Sequence, residues 1–351
     1  VVAALAVPAA ALAPAKAFSV GNAKGWDGLG GLSLPGPGWK PYSRSSPFNQ
    51  LAAGDPVSPD SAAVVQKVLS WGLPANLTAG EPPSEEWSHP AFFAEPGDPL
   101  YTIRLTKPWG HNRIQGMRIP MPPDARPAGG SDAQMTVVTP SGWEYDFWQA
   151  QAPGAHGGRF TASWGGRTRI DGSGLRSGGT ASGFGNLAGM IREPELAAGR
   201  IDHALFITLR CAARRTGARF GASAWVSRYV YPASAGGAAC PPGESGAPPL
   251  GTRFMLAMSI AQIDALPVPR WKKAILTALA EYGGYFGDTG GPGFGFMFES
   301  SVTYTALGLP DPFVEFAKAN GVPASAGRYV FDLAAGVEWA RYLRVLAPPR
   351  A

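Results

Sequence analysis

The sequence predicts a mainly β fold, and three observations carry that expectation. Gly (47 residues) and Pro (35) are far above average use without any collagen period, which suits many short strands joined by tight turns. Several segments alternate apolar and polar residues with period two, the pattern of a strand with one side in a core. Segments with helical spacing are few, and most of them fall in the last third of the chain. At 351 residues the chain is long enough for one large β domain or two ordinary ones. The even spread of Gly and Pro favours a single domain over residues 18–351.

Residues 18–50 read as a lead-in dense in Gly and Pro. Ser58-Pro59-Asp60 supplies a cap and a proline start for a helix over residues 61–71, with Val64, Val68 and Trp71 on one stripe. Residues 100–105 and 116–120 alternate as strands. Residues 133–139 and 143–150 read as a hairpin across Pro140-Ser141-Gly142, followed by a strand at 160–164 and a glycine-rich arc from Gly165 to Gly185. Pro194 and Gly199 bracket one helical turn, and residues 201–211 alternate again as a strand. Ser259 and Gln262 match a capping box for a short helix that stops at Pro267. Trp271, Ile275, Leu279 and Tyr282 are spaced for a second helix closed by Gly283-Gly284, and Asp311-Pro312 opens a third that Gly321 ends. These helices are expected to lie at the periphery.

The most informative segment is Gly142 to Gln149. Alternation places Glu144, Asp146 and Trp148 on one face, while Trp143, Tyr145 and Phe147 pack into the core. Two carboxylates and an aromatic ring on one surface suit a sugar-binding groove, with acids to work on a glycosidic bond and a ring to stack on a pyranose. The bland alternative is a half-buried strand whose carboxylates are solvated or paired with arginine. A second carboxylate function could come from Glu299, Asp288 or Asp171, and Trp164 could share the stacking. Asp288 belongs to a single Asp-Thr-Gly triplet, where an aspartic-protease dyad needs two. Arg167 and Arg169, beside Asp171, could hold a uronate carboxylate in forked hydrogen bonds or form a turn salt bridge. His203 is the first choice among the histidines for a cleft base, although its apolar strand suits a core histidine as well.

The segment Glu144-Tyr145-Asp146-Phe147-Trp148-Gln149 resembles the Glu-x-Asp-x-x-Glu strand of the concanavalin A-like jelly-roll glycoside hydrolases, the laminarinase and lichenase group. The resemblance implies an antiparallel β-sandwich of jelly-roll type, with Glu144 as nucleophile and Asp146 as its supporting carboxylate. The position of that family's acid/base is Gln149 here, or Trp148 in the shorter form of the motif, so the acid/base would have to come from another element. Over its whole length the chain is also similar to secreted proteins of high-GC soil bacteria, a likeness that implies no particular activity.

Residues 1–17 are apolar and Ala-rich and end in Ala13-Pro14-Ala15-Lys16-Ala17, a signal-peptidase type site, so the mature chain is expected to be secreted. The stretch is short for a membrane span. Cys211 and Cys240, the two cysteines present, are expected to form a disulfide in an oxidising compartment. The net charge of +5 is scattered, which disfavours nucleic acid as a partner. No phosphate loop, metal-ligand spacing or Gly-x-Ser-x-Gly elbow is present, so the sequence calls for no metal or cofactor. The expectation is a secreted, monomeric glycoside hydrolase acting on a polysaccharide. A uronate-directed polysaccharide lyase using His203, Arg167 and Arg169, or a non-catalytic carbohydrate- or wall-binding protein, are the other two readings.

Overall fold

Why these alternating segments end up as they do is clearest from the strand that carries Glu144. In a computed structural model, which describes residues 34–348 apart from 37, 110–111, 214–218, 221–223, 226–228 and 292, it is Trp143–Trp148. It lies third in a four-stranded sheet ordered Ala91–Phe93, Met135–Val138, Trp143–Trp148, Trp164–Arg169. The hairpin read across Pro140-Ser141-Gly142 is present, with Val138 opposite Glu144 and Met135 opposite Phe147. The signal-like residues 1–17, most of the lead-in and His111 lie outside the described residues.

Phe92, Met135, Val137, Tyr145 and Phe147 point to one side of this sheet and join Tyr101, Ile103, Ile119 and Phe160 in one apolar cluster. The latter four come from a three-stranded sheet ordered Arg118–Pro120, Leu100–Leu105, Gly158–Ala162. Phe147 and Phe160 meet edge to face at 4.6 Å, and each such fully buried ring contributes about 1.5–3 kcal/mol. The other face of the four-stranded sheet, with Ala91, Phe93 and Val138, belongs to a larger cluster. That cluster is built on a five-stranded sheet ordered Gly295–Phe296, Leu205–Leu209, Gly284–Thr289, Arg253–Leu256, Leu343–Val345. A small sheet of Leu77–Ala79, Arg328–Phe331 and Ala324–Ser325 and a short pair, Arg219–Phe220 with Ala224–Trp225, complete the strands.

The fold is therefore mainly β, but the sheets are mixed. Ala91–Phe93 runs parallel to Met135–Val138, Leu100–Leu105 to Gly158–Ala162, and Leu205–Leu209 to Gly284–Thr289. The purely antiparallel expectation failed because period-two alternation reports sidedness and says nothing of strand direction. After the helix stop expected at Gly283-Gly284 the chain enters a further strand, Gly284–Thr289, buried over its first four residues.

The expected helices form at Ser61–Ser70, Glu193–Ala198, Ile260–Asp264, Arg270–Glu281 and Pro312–Ala319. Ser259 and Gln262 make the capping box, and Asp311 caps Phe313 and Val314. The first two lie well before the last third of the chain, so the helices are not confined to it. Arg270–Glu281 packs Trp271, Ile275 and Leu279 into the larger cluster. Among the described residues no helix is long and apolar enough to cross a membrane.

Cys211 and Cys240 are bridged, across a sequence separation of 29. Reduction is expected to lower the unfolding free energy by about 3 kcal/mol through lost loop-closure entropy. Denaturant midpoints measured with and without reductant check this, and equal midpoints would show that the bridge restrains nothing.

Candidate functional site

Glu144 and Asp146 share a face as expected, but that face is closed. Both are fully buried, because the glycine-rich arc after the Trp164–Arg169 strand folds back over them. The glycines serve backbone contact here. A Cβ on Gly166 would fall 1.6 Å from the Ser177 carbonyl oxygen, and one on Gly179 would fall 2.3 Å from the Asp146 Cβ. One on Gly185 would fall 2.3 Å from the Tyr42 hydroxyl and 2.6 Å from Glu144 Oε1. The expected groove over Glu144 and Asp146 is thus filled by the chain's own arc.

The enclosed acids are hydrogen-bonded. Tyr42 Oη donates to Glu144 Oε2 at 2.7 Å and the Leu187 N–H to Glu144 Oε1 at 3.0 Å. Thr136 Oγ1 donates to Asp146 Oδ1 at 3.0 Å, and Ser177 Oγ donates to Asp146 Oδ2. Burial, and next to it the Asp146 carboxyl, push the Glu144 carboxyl well above the usual range. Burial pushes Asp146 up to about 6, against the hydrogen bonds that favour its charged form. Both carboxyls are thus raised by burial and sealed beneath the arc.

The remaining candidate acids do not join them. Glu299 is buried and accepts from Tyr304 Oη at 2.9 Å, and burial raises its carboxyl to about 7. Asp288 is half-buried, accepts from the Ala181 and Thr289 N–H groups at 3.2 and 2.7 Å, and is raised to about 6 by burial. Asp171 is exposed and paired with Arg169 at 2.7 Å, a hydrogen-bonded contact that holds its carboxyl low. Among the described residues none of the three makes a hydrogen bond or ion pair to Glu144 or Asp146.

These raised carboxyls make stability depend on pH. Asp146 and Asp288 rise from 3.8 to about 6, and Glu299 from 4.5 to about 7. Between those values each binds more protons folded than unfolded, so folding stability falls as pH rises through the window. The melting temperature is expected to be lower at about pH 7.5 than at about pH 5, read by circular dichroism. A melting temperature that rises over the same interval would contradict it.

Arg167 and Arg169 lie opposite Tyr145 and Trp143 in the sheet register, on the side away from the acids. Arg167 sits over the Trp143 ring at 4.1 Å and Arg169 at 5.4 Å; Trp143 itself is half-buried, packed against the margin of the core instead of within it. His203 is buried, with Nδ1 2.9 Å from the Ala204 carbonyl and Nε2 3.1 Å from Glu195 Oε1. Burial works against the Glu195 charge, but His203 and Arg192 outweigh it and hold that carboxyl low. Arg192 also donates to the carbonyls of Pro35, Gly36 and Trp39, so this group clamps the N-terminal described segment. Among the described residues, Cys211, Cys240 and Glu244 lie within metal-like reach of one another. Their sulfurs are bonded to each other, and Glu244 accepts from Lys67 and Trp71.

The surface feature is aromatic. Trp148 and Trp164 face each other across neighbouring strands at the end of the four-stranded sheet. Trp109 stacks over Trp148 at 5.5 Å and 28°, and meets Trp164 at 5.5 Å and 47°. Trp109 is 58 % exposed, and the other two are half-buried. The chain after Leu105 stays beside the Gly158–Ala162 strand, with the Thr106 and Lys107 N–H groups donating to the Ala162 and Ser163 carbonyls at 3.0 Å each. That extension delivers Trp109 to the other two rings.

Trp148 Nε1 donates to Asp132 Oδ1 at 2.9 Å, which fixes the ring. Gln149 turns left-handed at φ 48°, ends the strand, and accepts from Ser163 Oγ at 2.7 Å. The rings therefore have polar side chains of Asp132, Gln149 and Ser163 beside them. Trp109 was missed from sequence because Lys107-Pro108-Trp109-Gly110 carries no periodicity. A tryptophan flanked by loop residues was the one available signal. No family model, curated protein or solved structure matches this chain.

Proposed function

We propose that this protein binds carbohydrate through the Trp109, Trp148 and Trp164 surface, as a non-catalytic polysaccharide- or wall-binding protein. The observation that carries the reading is the three-ring cluster at one sheet end, partly open to solvent and rimmed by hydrogen-bonding side chains. Pyranose rings present apolar C–H faces and equatorial hydroxyls, and such a surface complements both. The disulfide suits an exported chain, and we read the protein as secreted and monomeric. We also read the three- and four-stranded sheets, which share one core, as a sandwich related to the jelly-roll type.

A second reading, glycosidic hydrolysis by Glu144 and Asp146, is favoured by one observation, the raised proton affinity of the pair. It requires the segment 177–187 to lift from the sheet before a substrate can reach either acid. Affinity electrophoresis against a panel of soluble polysaccharides, with parallel assays for reducing ends and for the absorbance of unsaturated uronates, tests these readings together. Retardation without product is expected. Reducing ends would favour hydrolysis, unsaturated products would favour the lyase, and neither retardation nor product would end all three.

A further inference from the structure

We propose that Trp87 forms a second stacking subsite beside the three-ring cluster, so that the site takes a run of sugars along a glycan chain and not a single terminal sugar. This rests on the carbohydrate reading above. Trp87 is 53 % exposed, and its ring is seated on the backbone of a neighbouring turn. A Cβ on Gly130 would come 2.9 Å from the Trp87 ring carbon Cδ2, so only glycine lets the ring lie there. The Gly130 N–H donates to the Glu86 carbonyl at 2.8 Å, and the turn closes with the Ala133 N–H donating to the Gly130 carbonyl at 3.0 Å. Asp132, in the same turn, holds the Trp148 indole. Trp87 and Trp148 thus flank one turn, each anchored to it.

Sheet topology puts the aromatic groups at one end. Ala91–Phe93 and Met135–Val138 are parallel, and Met135–Val138, Trp143–Trp148 and Trp164–Arg169 alternate. The start of the first strand, the start of the second, the end of the third and the start of the fourth therefore lie together. Trp87 precedes the first strand, the 130–133 turn the second, and Trp148 and Trp164 belong to the third and fourth. Strands are spaced about 4.8 Å apart, so the first and third strands lie about 10 Å apart at this sheet end, and the 130–133 turn stands between Trp87 and Trp148. One pyranose cannot cover both rings, whereas a short oligosaccharide can, with the polar turn between them.

Titration of wild type, Trp87→Ala and Trp109→Ala with laminari- and cello-oligosaccharides of two to six units tests this, read by calorimetry. Trp87→Ala is expected to lose about tenfold in affinity for the longest oligomers and nothing for disaccharides, whereas Trp109→Ala weakens both. Gly130→Ala, which unseats the Trp87 ring, should reproduce the length-dependent loss. Unchanged affinity of Trp87→Ala for the longest oligomers that wild type binds would overturn the subsite alone. Failure of wild type to bind any member of either ladder would overturn the subsite for these glycans, and the polysaccharide panel decides the carbohydrate reading separately.

Discussion

Glu144→Ala is expected to lower the unfolding free energy by about 3–5 kcal/mol, among the largest effects of any single change in this chain. Truncation removes the acceptor for both Tyr42 Oη and the Leu187 N–H, and each buried donor left unsatisfied costs about 1–3 kcal/mol. It also leaves a void beneath a glycine-rich arc whose backbone already touches the sheet, with little freedom to collapse into it. Glu144→Gln keeps the volume and an acceptor, and burial raises the carboxyl's proton affinity, so a neutral amide suits the site better than a truncation. Its cost should be smaller, about 1 kcal/mol. Urea titrations of the two variants check the contrast. Equal, negligible losses would show that the arc does not depend on the pair.

Trp109→Ala is expected to weaken glycan binding by about ten- to a hundredfold, or ~1.4–2.8 kcal/mol, while changing the melting temperature little. The ring is 58 % exposed, so it contributes modestly to the fold. Within the cluster it is the most open ring and presents the widest area to solvent. Trp164→Ala should weaken binding as well, with some loss of stability because that ring is half-buried. Trp148→Ala should cost more stability still, since it abandons Asp132. Affinity electrophoresis beside thermal melts separates binding from folding. A loss of retardation that tracks melting temperature across the three variants would mean that the rings only hold the fold.

Much of the framework was legible in the chain. Alternation located the Trp143–Trp148 hairpin and which residues share each face, with Tyr145 and Phe147 in the core, because sidedness is written at period two. Capping chemistry located the starts of the Ile260–Asp264 and Pro312–Ala319 helices. What alternation cannot report is whether a polar face meets water or another layer of the same chain. Glu144 and Asp146 read as a cleft because charged groups are seldom buried without partners. Apart from Thr136 on the adjacent strand, their partners, Tyr42, Ser177 and Leu187, lie 31 or more residues away in sequence. Trp148 and Trp164 were legible as stacking candidates from their strands. Trp109 and Trp87 sit in aperiodic segments, and their places are set by tertiary contacts, Trp109 by the extension beside the Gly158–Ala162 strand and Trp87 by the turn at Gly130.

If the tryptophan cluster is the ligand surface and the Glu144–Asp146 pair is part of the frame, the two separate in one affinity electrophoresis gel that compares wild type, Trp109→Ala and Asp146→Asn, cast with the polysaccharide that retards wild type most, with reducing ends assayed in parallel. Retardation lost in Trp109→Ala, kept in folded Asp146→Asn, and no reducing ends from any of the three is the expected result. Retardation unchanged in Trp109→Ala, or reducing ends released by wild type and abolished in Asp146→Asn, would contradict it.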